Sequence, residues 1–202
     1  MKNHKDFATR SLTILVASAF LAAISIVLGK YLAISLGEVL RISFENLPIL
    51  IAGIAFGPLW GCVVGVVADL IGCLLVGYAI NPVVTLGAAT IGLTSGTVSL
   101  LLEKVKTCPY VLRIAASVGG AHILGSVIIK TIGLAVFYAM PIHILMLWRL
   151  LNYVLVGAAE GVIIWYLLKS PLLTAQIDSI LKRSRKTKAQ NETEDKSTYK
   201  DE

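Results

Sequence analysis

The chain alternates long apolar segments with short polar or glycine-containing loops between residues 11 and 170. From Asn46 to Leu102 the only charged residue is Asp69. A run of that length must hold several membrane crossings, because one crossing takes about 20 apolar residues. Gly57–Pro58 is a turn signal that divides it. The pattern predicts an all-α membrane protein with six transmembrane helices, at about residues 11–29, 46–56, 59–76, 84–102, 112–138 and 142–168.

The placement of lysine and arginine predicts the orientation. Basic residues concentrate at the amino terminus, in the loop at 103–113 and after residue 181, whereas the loops at 77–83 and 139–142 contain none. Cytoplasmic loops carry the excess of Lys and Arg, so both termini are expected in the cytoplasm and the protein in the cell membrane. Lys30 and Arg41 in the first outer loop, residues 30–45, depart mildly from this rule.

Three parts are expected along the chain. Residues 1–10 form a cytoplasmic amino terminus, and residues 11–170 form the six-helix domain. Residues 171–202 form a basic and polar cytoplasmic tail that is expected to be partly disordered. An apolar stripe at the start of this tail is typical of an amphipathic segment lying near anionic lipid.

The composition excludes several classes of function. The chain is 56% hydrophobic with a net charge of +6 and a mean hydropathy of +0.82, values typical of a membrane protein. Its positive charge is not interleaved with base-stacking aromatic residues, so no nucleic-acid partner is expected. Three cysteines without a CxxC pair, and the lack of Walker, HExxH and GxGxxG sequences, predict no metal, no cofactor and no ATP hydrolysis by this chain.

Two cations interrupt the last two apolar segments. Lys130 and Arg149 each lie roughly 12–15 Å from the turn at 140–141, at 1.5 Å per helical residue. A charge at the bilayer centre costs about 2.5–3.5 kcal/mol, and such residues usually face a bundle interior or a polar cavity. The two cations therefore predict a cavity for an anion, with Arg41 as a possible third charge and no matching cluster of acids. Asp69 could instead neutralise one of them.

Polar residues share the helix faces of both cations. His122, Ser126 and Lys130 follow one another at four-residue spacing, and Asn152 and Tyr153 lie one turn from Arg149. His122 is interpreted either as lining the cavity or as a core histidine. A hydrolytic Ser–His pair is conceivable, but no orienting carboxylate lies in sequence reach. The aromatic residues near the outer ends either form an interfacial belt or stack on a flat ring; they include Tyr31, Phe44 and Tyr78.

Small residues recur at four-residue spacing, which lets helix backbones approach closely. The glycine pairs 53/57, 61/65, 92/96 and 157/161 are expected to pack inside the bundle. Ala19 and Ala23 are the expected exception, because a first helix at the rim can present that face to another subunit. Glu160 is expected to have a structural or subunit-facing role.

The run from Arg41 to Pro48, followed by Gly53, Gly57–Pro58, Gly61, Gly65 and Asp69, resembles the substrate-binding S components of energy-coupling factor (ECF) transporters. It is most similar to the folate-specific group. The stretch Ala19–Ala23 resembles that group's AxxxA motif, and Lys130–Thr131 and Arg149 with Asn152 also match it. The resemblance covers about residues 10–170, and its glycine-rich block is common to several vitamin specificities.

The resemblance implies a six-helix, non-enzymatic protein that binds a vitamin outside the cell and releases it inside. Its partners would be a transmembrane coupling subunit, contacted through Ala19 and Ala23, two cytosolic ATPase subunits and the lipid bilayer. Folate agrees with the cations and aromatic residues, because it combines a flat pterin with two carboxylates. The expected substrate-binding residues are Lys130, Arg149, Arg41, Asn152, His122, Tyr31, Phe44 and Tyr78.

Three alternatives remain. One is an S component for another anionic vitamin or precursor, such as pantothenate or a deazaguanine. Another is a solitary ion-coupled transporter with Asp69 or Glu160 as its proton site. An intramembrane enzyme is the third and least favoured.

Overall fold

The computed structural model describes the backbone of residues 2–36, 40–105, 108–138 and 141–170. A π-helical turn at Val27–Tyr31 extends the first α-helix. A π-helical segment at His122–Ile129 joins the α-helix at Tyr110–Ala121 to the α-helix at Lys130–Tyr138. Two short strands, β1 (Ile34–Leu36) and β2 (Leu40–Ile42), precede the α-helix at Asn46–Phe56. The predicted tail at 171–202 lies outside the described residues. The helices are α1 (Lys2–Ile26), α2 (Asn46–Phe56), α3 (Pro58–Val76), α4 (Pro82–Glu103), α5 (Tyr110–Ala121), α6 (Lys130–Tyr138) and α7 (Ile142–Lys169).

The helical class and the presence of several candidate spans are confirmed. Within the described residues, five helical stretches are long and apolar enough to cross a membrane: Leu12–Tyr31, Pro58–Val76, Pro82–Glu103, Tyr110–Phe137 and Leu145–Lys169. The expected sixth crossing, α2, is apolar but has only 11 residues. At 1.5 Å per residue it extends over about 16 Å, roughly half the thickness of a bilayer's hydrocarbon core.

The loop at 30–45 contains a β-hairpin that we did not predict. β1 and β2 pair antiparallel, with Ile34 opposite Ile42 and Leu36 opposite Leu40. The residues between these pairs, Ser35 and Arg41, are polar, so the segment alternates with a period of two. That period is the pattern of a strand rather than of an irregular polar loop.

Glycines bring the backbones of α2, α3 and α4 into direct contact. A Cβ on Gly61 would lie 2.5 Å from the carbonyl oxygen of Gly92 and 2.7 Å from the Cα of Gly53. Gly57 makes the turn between α2 and α3 with a φ of 103°, which favours glycine. The expected internal packing is therefore confirmed for Gly53, Gly61 and Gly92, whereas a Cβ on Gly57 would meet nothing within 4 Å. Gly161 differs, because a Cβ there would meet nothing within 4 Å.

The chain divides into two compact units. One comprises residues 18–166, and the other comprises the described residues 2–17 and 167–170. The glycine contacts of α2–α4 and the polar groups described below all belong to the first unit.

Candidate functional site

Lys130 is paired with an acid. The lysine begins α6 and is only 4% exposed. Its Nζ donates hydrogen bonds to Glu45 Oε1 at 3.1 Å and to Asn46 Oδ1 at 3.4 Å. The sequence predicted no matching cluster of acids and offered Asp69 as the alternative counter-charge; the ion pair of Lys130 is with Glu45. The physical reason is that a buried ammonium without a counter-charge would lose its hydration with no compensating attraction.

Glu45 is held in place by the end of α1. Ser25 Oγ donates a 2.6 Å hydrogen bond to the Glu45 carbonyl oxygen. The Glu45 side chain also lies against Gly29, where an added Cβ would come within 2.8 Å of Glu45 Cβ. Glu45 immediately precedes α2, so these contacts fix where the carboxylate leaves the backbone. The side chain remains 25% exposed.

A second carboxylate and a second lysine lie beside this pair. Asp69 on α3 accepts a 2.6 Å hydrogen bond from Thr85 Oγ1 on α4. Lys30, in the π-helical turn, places Nζ 3.8 Å from Cys73 Sγ and 5.6 Å from the centre of the Tyr78 ring. The hydrogen bond to Thr85 agrees with the structural interpretation of Asp69.

These charged groups surround a very small cavity. Its volume is about 20 Å³. A volume of this size accommodates about one water molecule. The two lysines and two carboxylates around it have no net charge. The polar residues in its wall are Ser25, Lys30, Glu45, Asp69 and Lys130.

Arg149 belongs to a neighbouring polar network between the π-helical segment and α7. Its Nε donates to the carbonyl oxygen of Ser126 at 3.1 Å, and its Nη2 lies 3.4 Å from Tyr153 Oη. The guanidinium also lies over the Tyr153 ring, 5.4 Å from its centre. A π-helical segment leaves carbonyl groups in altered positions, and here one of them accepts from a cation.

His122 connects Ser126 to Glu160. Its Nδ1 lies 3.1 Å from Ser126 Oγ, and its Nε2 lies 2.5 Å from Glu160 Oε2. Its ring stacks on Tyr153 at 4.9 Å between centroids. The expected structural role of Glu160 agrees with this contact, and so does the interpretation of His122 as a core histidine.

Glu160 also takes the place of the carboxylate that would orient His122 in a hydrolytic triad. It lies 38 residues from His122, too far in the sequence to have been recognised there. The three groups nevertheless do not form an accessible nucleophilic site. Ser126 and Glu160 are both fully buried. A substrate carbonyl has no route to the Ser126 hydroxyl in this arrangement. The contacts among Ser126, His122 and Glu160 therefore indicate a structural role and not a catalytic one.

The two polar networks share one electrostatic neighbourhood. Arg149 donates to the carbonyl oxygen of Ser126, which lies four residues before Lys130 in the same helical run. The two networks are therefore adjacent.

An apolar groove lies between α5, the π-helical segment and α7, and has a volume of about 550 Å³. His122 and Tyr153 are its main polar wall residues, whereas Lys130 and Arg149 do not line it. Its other walls include Val118, Gly157 and Trp165. The charged site and this groove therefore do not coincide.

Comparison with known proteins decides the family. The family model described as "ECF transporter, substrate-specific component" matches residues 14–180. The chain belongs to this family. Over 157 residues it is 26% identical to the Folate transporter FolT of Clostridium novyi, covering 77% of this chain and 88% of that protein. A 70-residue stretch is 39% identical to an uncharacterized protein of Mycoplasma pneumoniae, covering 35% of this chain and 24% of that one.

Solved S components share the fold. A crystal structure of FolT bound with folic acid superposes with a TM-score of 0.61 at 24% identity, covering 76% of this chain and 90% of that one. The S component of a bacterial ECF transporter gives 0.60 at 20% identity, with coverages of 85% and 99%. The biotin S component of an ECF-type ABC transporter gives 0.59 at 18% identity, with coverages of 80% and 94%. The resemblance to the S-component family is confirmed.

The remaining predicted residues of this S component are spread around its polar networks. Tyr78 is 53% exposed and holds Lys30 over its ring, whereas Tyr31 is 66% exposed. Asn152 is half-buried on α7, and Phe44 is half-buried just before α2. Arg41 lies in β2, and its side chain is outside the described part of the structure.

Ala19 and Ala23 are both exposed on α1. Phe20 beside them is 67% exposed, whereas Ala22 is buried at 3%. The bundle of residues 18–166 therefore leaves the face with the two alanines uncovered, as a contact surface for another subunit requires.

Two site residues of this S component were missed. Glu45 and Lys30 both fall in the segment that we had interpreted as an outer loop. The signal for Glu45 was the buried lysine itself, since such a charge needs a partner. The signal for Lys30 was its position at the end of an apolar helix, where a long side chain can turn back towards the bundle.

Proposed function

We propose that this chain is the folate-binding S component of an ATP-driven vitamin uptake transporter. The observation that carries the substrate assignment is the alignment with the Clostridium novyi Folate transporter over 77% of this chain and 88% of the relative. Family membership alone supports a substrate-specific component and leaves the vitamin open.

The chemistry of the polar networks supports the same substrate. Folate has two carboxylates, and the chain offers two cations in adjacent networks: Lys130, and Arg149 bonded to the Ser126 carbonyl four residues before that lysine. Arginine offers a planar fork for a carboxylate and lysine a point charge. The flat pterin suits stacking on aromatic rings, and Tyr78, Tyr31 and Phe44 remain our proposed contacts for it, with Asn152, His122 and Arg41 as polar contacts.

The transport cycle that we propose needs partners. The S component takes folate from outside the cell, and both of its termini lie in the cytoplasm of a bacterium. A transmembrane coupling subunit contacts α1 at Ala19 and Ala23, and two cytosolic ATPases supply the energy. The exposure of both alanines in a helix that is apolar around them supports this contact, because small residues let a partner helix approach closely.

A binding panel tests the substrate. The chain, purified in detergent, is titrated with folate, pantothenate, biotin and riboflavin, and binding is measured by calorimetry and thermal shift. Folate should bind most tightly and raise the melting temperature. Preferential binding of pantothenate or biotin would contradict folate as the substrate but would leave the assignment as an S component in place.

A reconstitution tests the transport mechanism. The chain alone in liposomes should accumulate no folate, and uptake should need the coupling subunit, both ATPases and ATP. Accumulation driven by an ion gradient without any ATPase would favour the solitary transporter instead.

A further inference from the structure

The contact between Glu45 and Lys130 resembles the contact that a substrate carboxylate would make with Lys130. A carboxylate oxygen accepts from a buried ammonium at 3.1 Å. Folate would bring the same functional group to the same cation. Two carboxylates cannot both take the best position at one ammonium.

The cavity beside this contact is too small for a vitamin unless protein groups move out of it. It holds about 20 Å³, whereas pockets for small-molecule ligands usually measure about 300–1,000 Å³. A vitamin therefore enters the neighbourhood of Lys130 only by displacing protein groups. Lys130 itself is 4% exposed in the middle of a span, while the Glu45 side chain is 25% exposed at the start of α2. The acid is therefore the partner that lies nearer to solvent.

The side-chain amide of Asn46, next to Glu45, has a hydrogen-bond donor that a bound substrate can satisfy. Asn46 is fully buried and accepts from Lys130 through Oδ1. Among the residues that the structure describes, its Nδ2 meets no hydrogen-bond acceptor. A buried donor without a partner costs free energy until an acceptor arrives. A carboxylate bound at Lys130 would supply that acceptor one residue away from Glu45.

We infer that Glu45 is a surrogate anion, which neutralises Lys130 in the substrate-free protein and is displaced by a carboxylate of the substrate. This inference rests on the proposed function and adds a residue and a step to it. Glu45 then lowers the apparent affinity, because part of the binding free energy is spent on separating an existing ion pair. It also keeps a buried cation neutral between transport cycles, which would otherwise destabilise the empty protein.

The test is Glu45→Gln, which keeps the shape and removes the charge. Folate should bind roughly tenfold more tightly, because the competing carboxylate is gone. The gain should be absent for 6-hydroxymethylpterin, which has the pterin ring but no carboxylate. It should also be absent from E45Q on a Lys130→Met background. Glu103→Gln is the matched control, since Glu103 pairs with Arg113 outside this site at 3.2 Å and its loss should leave folate binding unchanged.

The outcomes separate the two proposals. Unchanged or weaker folate binding by E45Q, with normal binding by the unmodified chain, overturns the exchange and leaves the proposed function in place. An equal gain for folate and hydroxymethylpterin also overturns it, because the variant then only loosens the bundle. If the unmodified chain binds another carboxylated vitamin of the panel, that vitamin replaces folate in the test. Binding of none of them overturns both proposals. Glu45→Ala serves the same comparison if E45Q does not fold.

Discussion

His122 and Glu160 form a 2.5 Å contact across the last two spans, and both side chains are at most 4% exposed. The contact fastens the π-helical segment to α7 at the level of Tyr153, on which the imidazole stacks. It therefore holds α7, which carries Arg149, in register with the π-helical segment that leads into Lys130.

Replacing His122 by Ala should destabilise the chain. Loss of one partner leaves Glu160 buried without its counterpart, which costs about 3–5 kcal/mol for buried pairs. That corresponds to a fall in melting temperature of more than about 6 °C for a protein of this size. Thermal unfolding in detergent measures it. His143→Ala is the control, because His143 is exposed at the start of α7, and an equal fall in both variants would contradict the role of the contact.

Gly92→Ala should prevent close packing of α3 and α4. The new methyl group would collide with the carbonyl group of Gly61, and neither backbone can yield without separating the helices. We expect a loss of folded protein in size-exclusion chromatography. Gly161→Ala should be tolerated or mildly stabilising, because its methyl group would meet nothing within 4 Å and alanine is the better helix former. Normal yield and stability of Gly92→Ala would refute the packing.

Lys130→Ala and Arg149→Ala should each weaken folate binding by more than about tenfold, because truncating one partner of a buried, hydrogen-bonded charge pair costs several kcal/mol. Calorimetry on the purified variants measures the change. Arg113→Ala removes a cation that is bonded to Ser99 and Glu103, away from the site, and should bind folate normally. Full affinity in both site variants would remove these cations from the binding site.

Ala19→Trp and Ala23→Trp should abolish folate uptake while folate binding persists. Both alanines are exposed, so a larger side chain leaves the bundle intact and obstructs an approaching helix. Uptake into cells and binding by the purified variants are measured side by side. Leu155→Trp is the control, because Leu155 is 74% exposed on α7 and lies outside the proposed interface. Uptake that survives in both alanine variants would exclude this face as the contact.

Helix positions could be predicted well because their signals are local. The bounds expected for α2, residues 46–56, agree with those observed, since Gly57–Pro58 ends one helix and begins the next. The Gly53, Gly61 and Gly92 contacts followed from small residues at helical spacing. The hairpin had an equally local signal, the alternation from Ile34 to Ile42, which we overlooked.

The pairing of the charges could not be predicted in the same way. Glu45 and Lys130 are 85 residues apart in the sequence, and His122 and Glu160 are 38 apart. No periodicity within one helix specifies which helix lies opposite. Sequence reasoning therefore placed the cations in one region of the bundle and offered Asp69 instead of Glu45 as a counter-charge, and it could not estimate how little space remains beside Lys130.

The π-helical segment at His122–Ile129 determines which way the side chains of α6 face. Its wider turns change the angle around the helix axis between the residues of α5 and those of α6. Deleting one residue there would rotate Lys130 by about 100° around the helix axis, away from Glu45. Evolution can therefore exchange side chains in this stretch far more readily than it can change the number of residues.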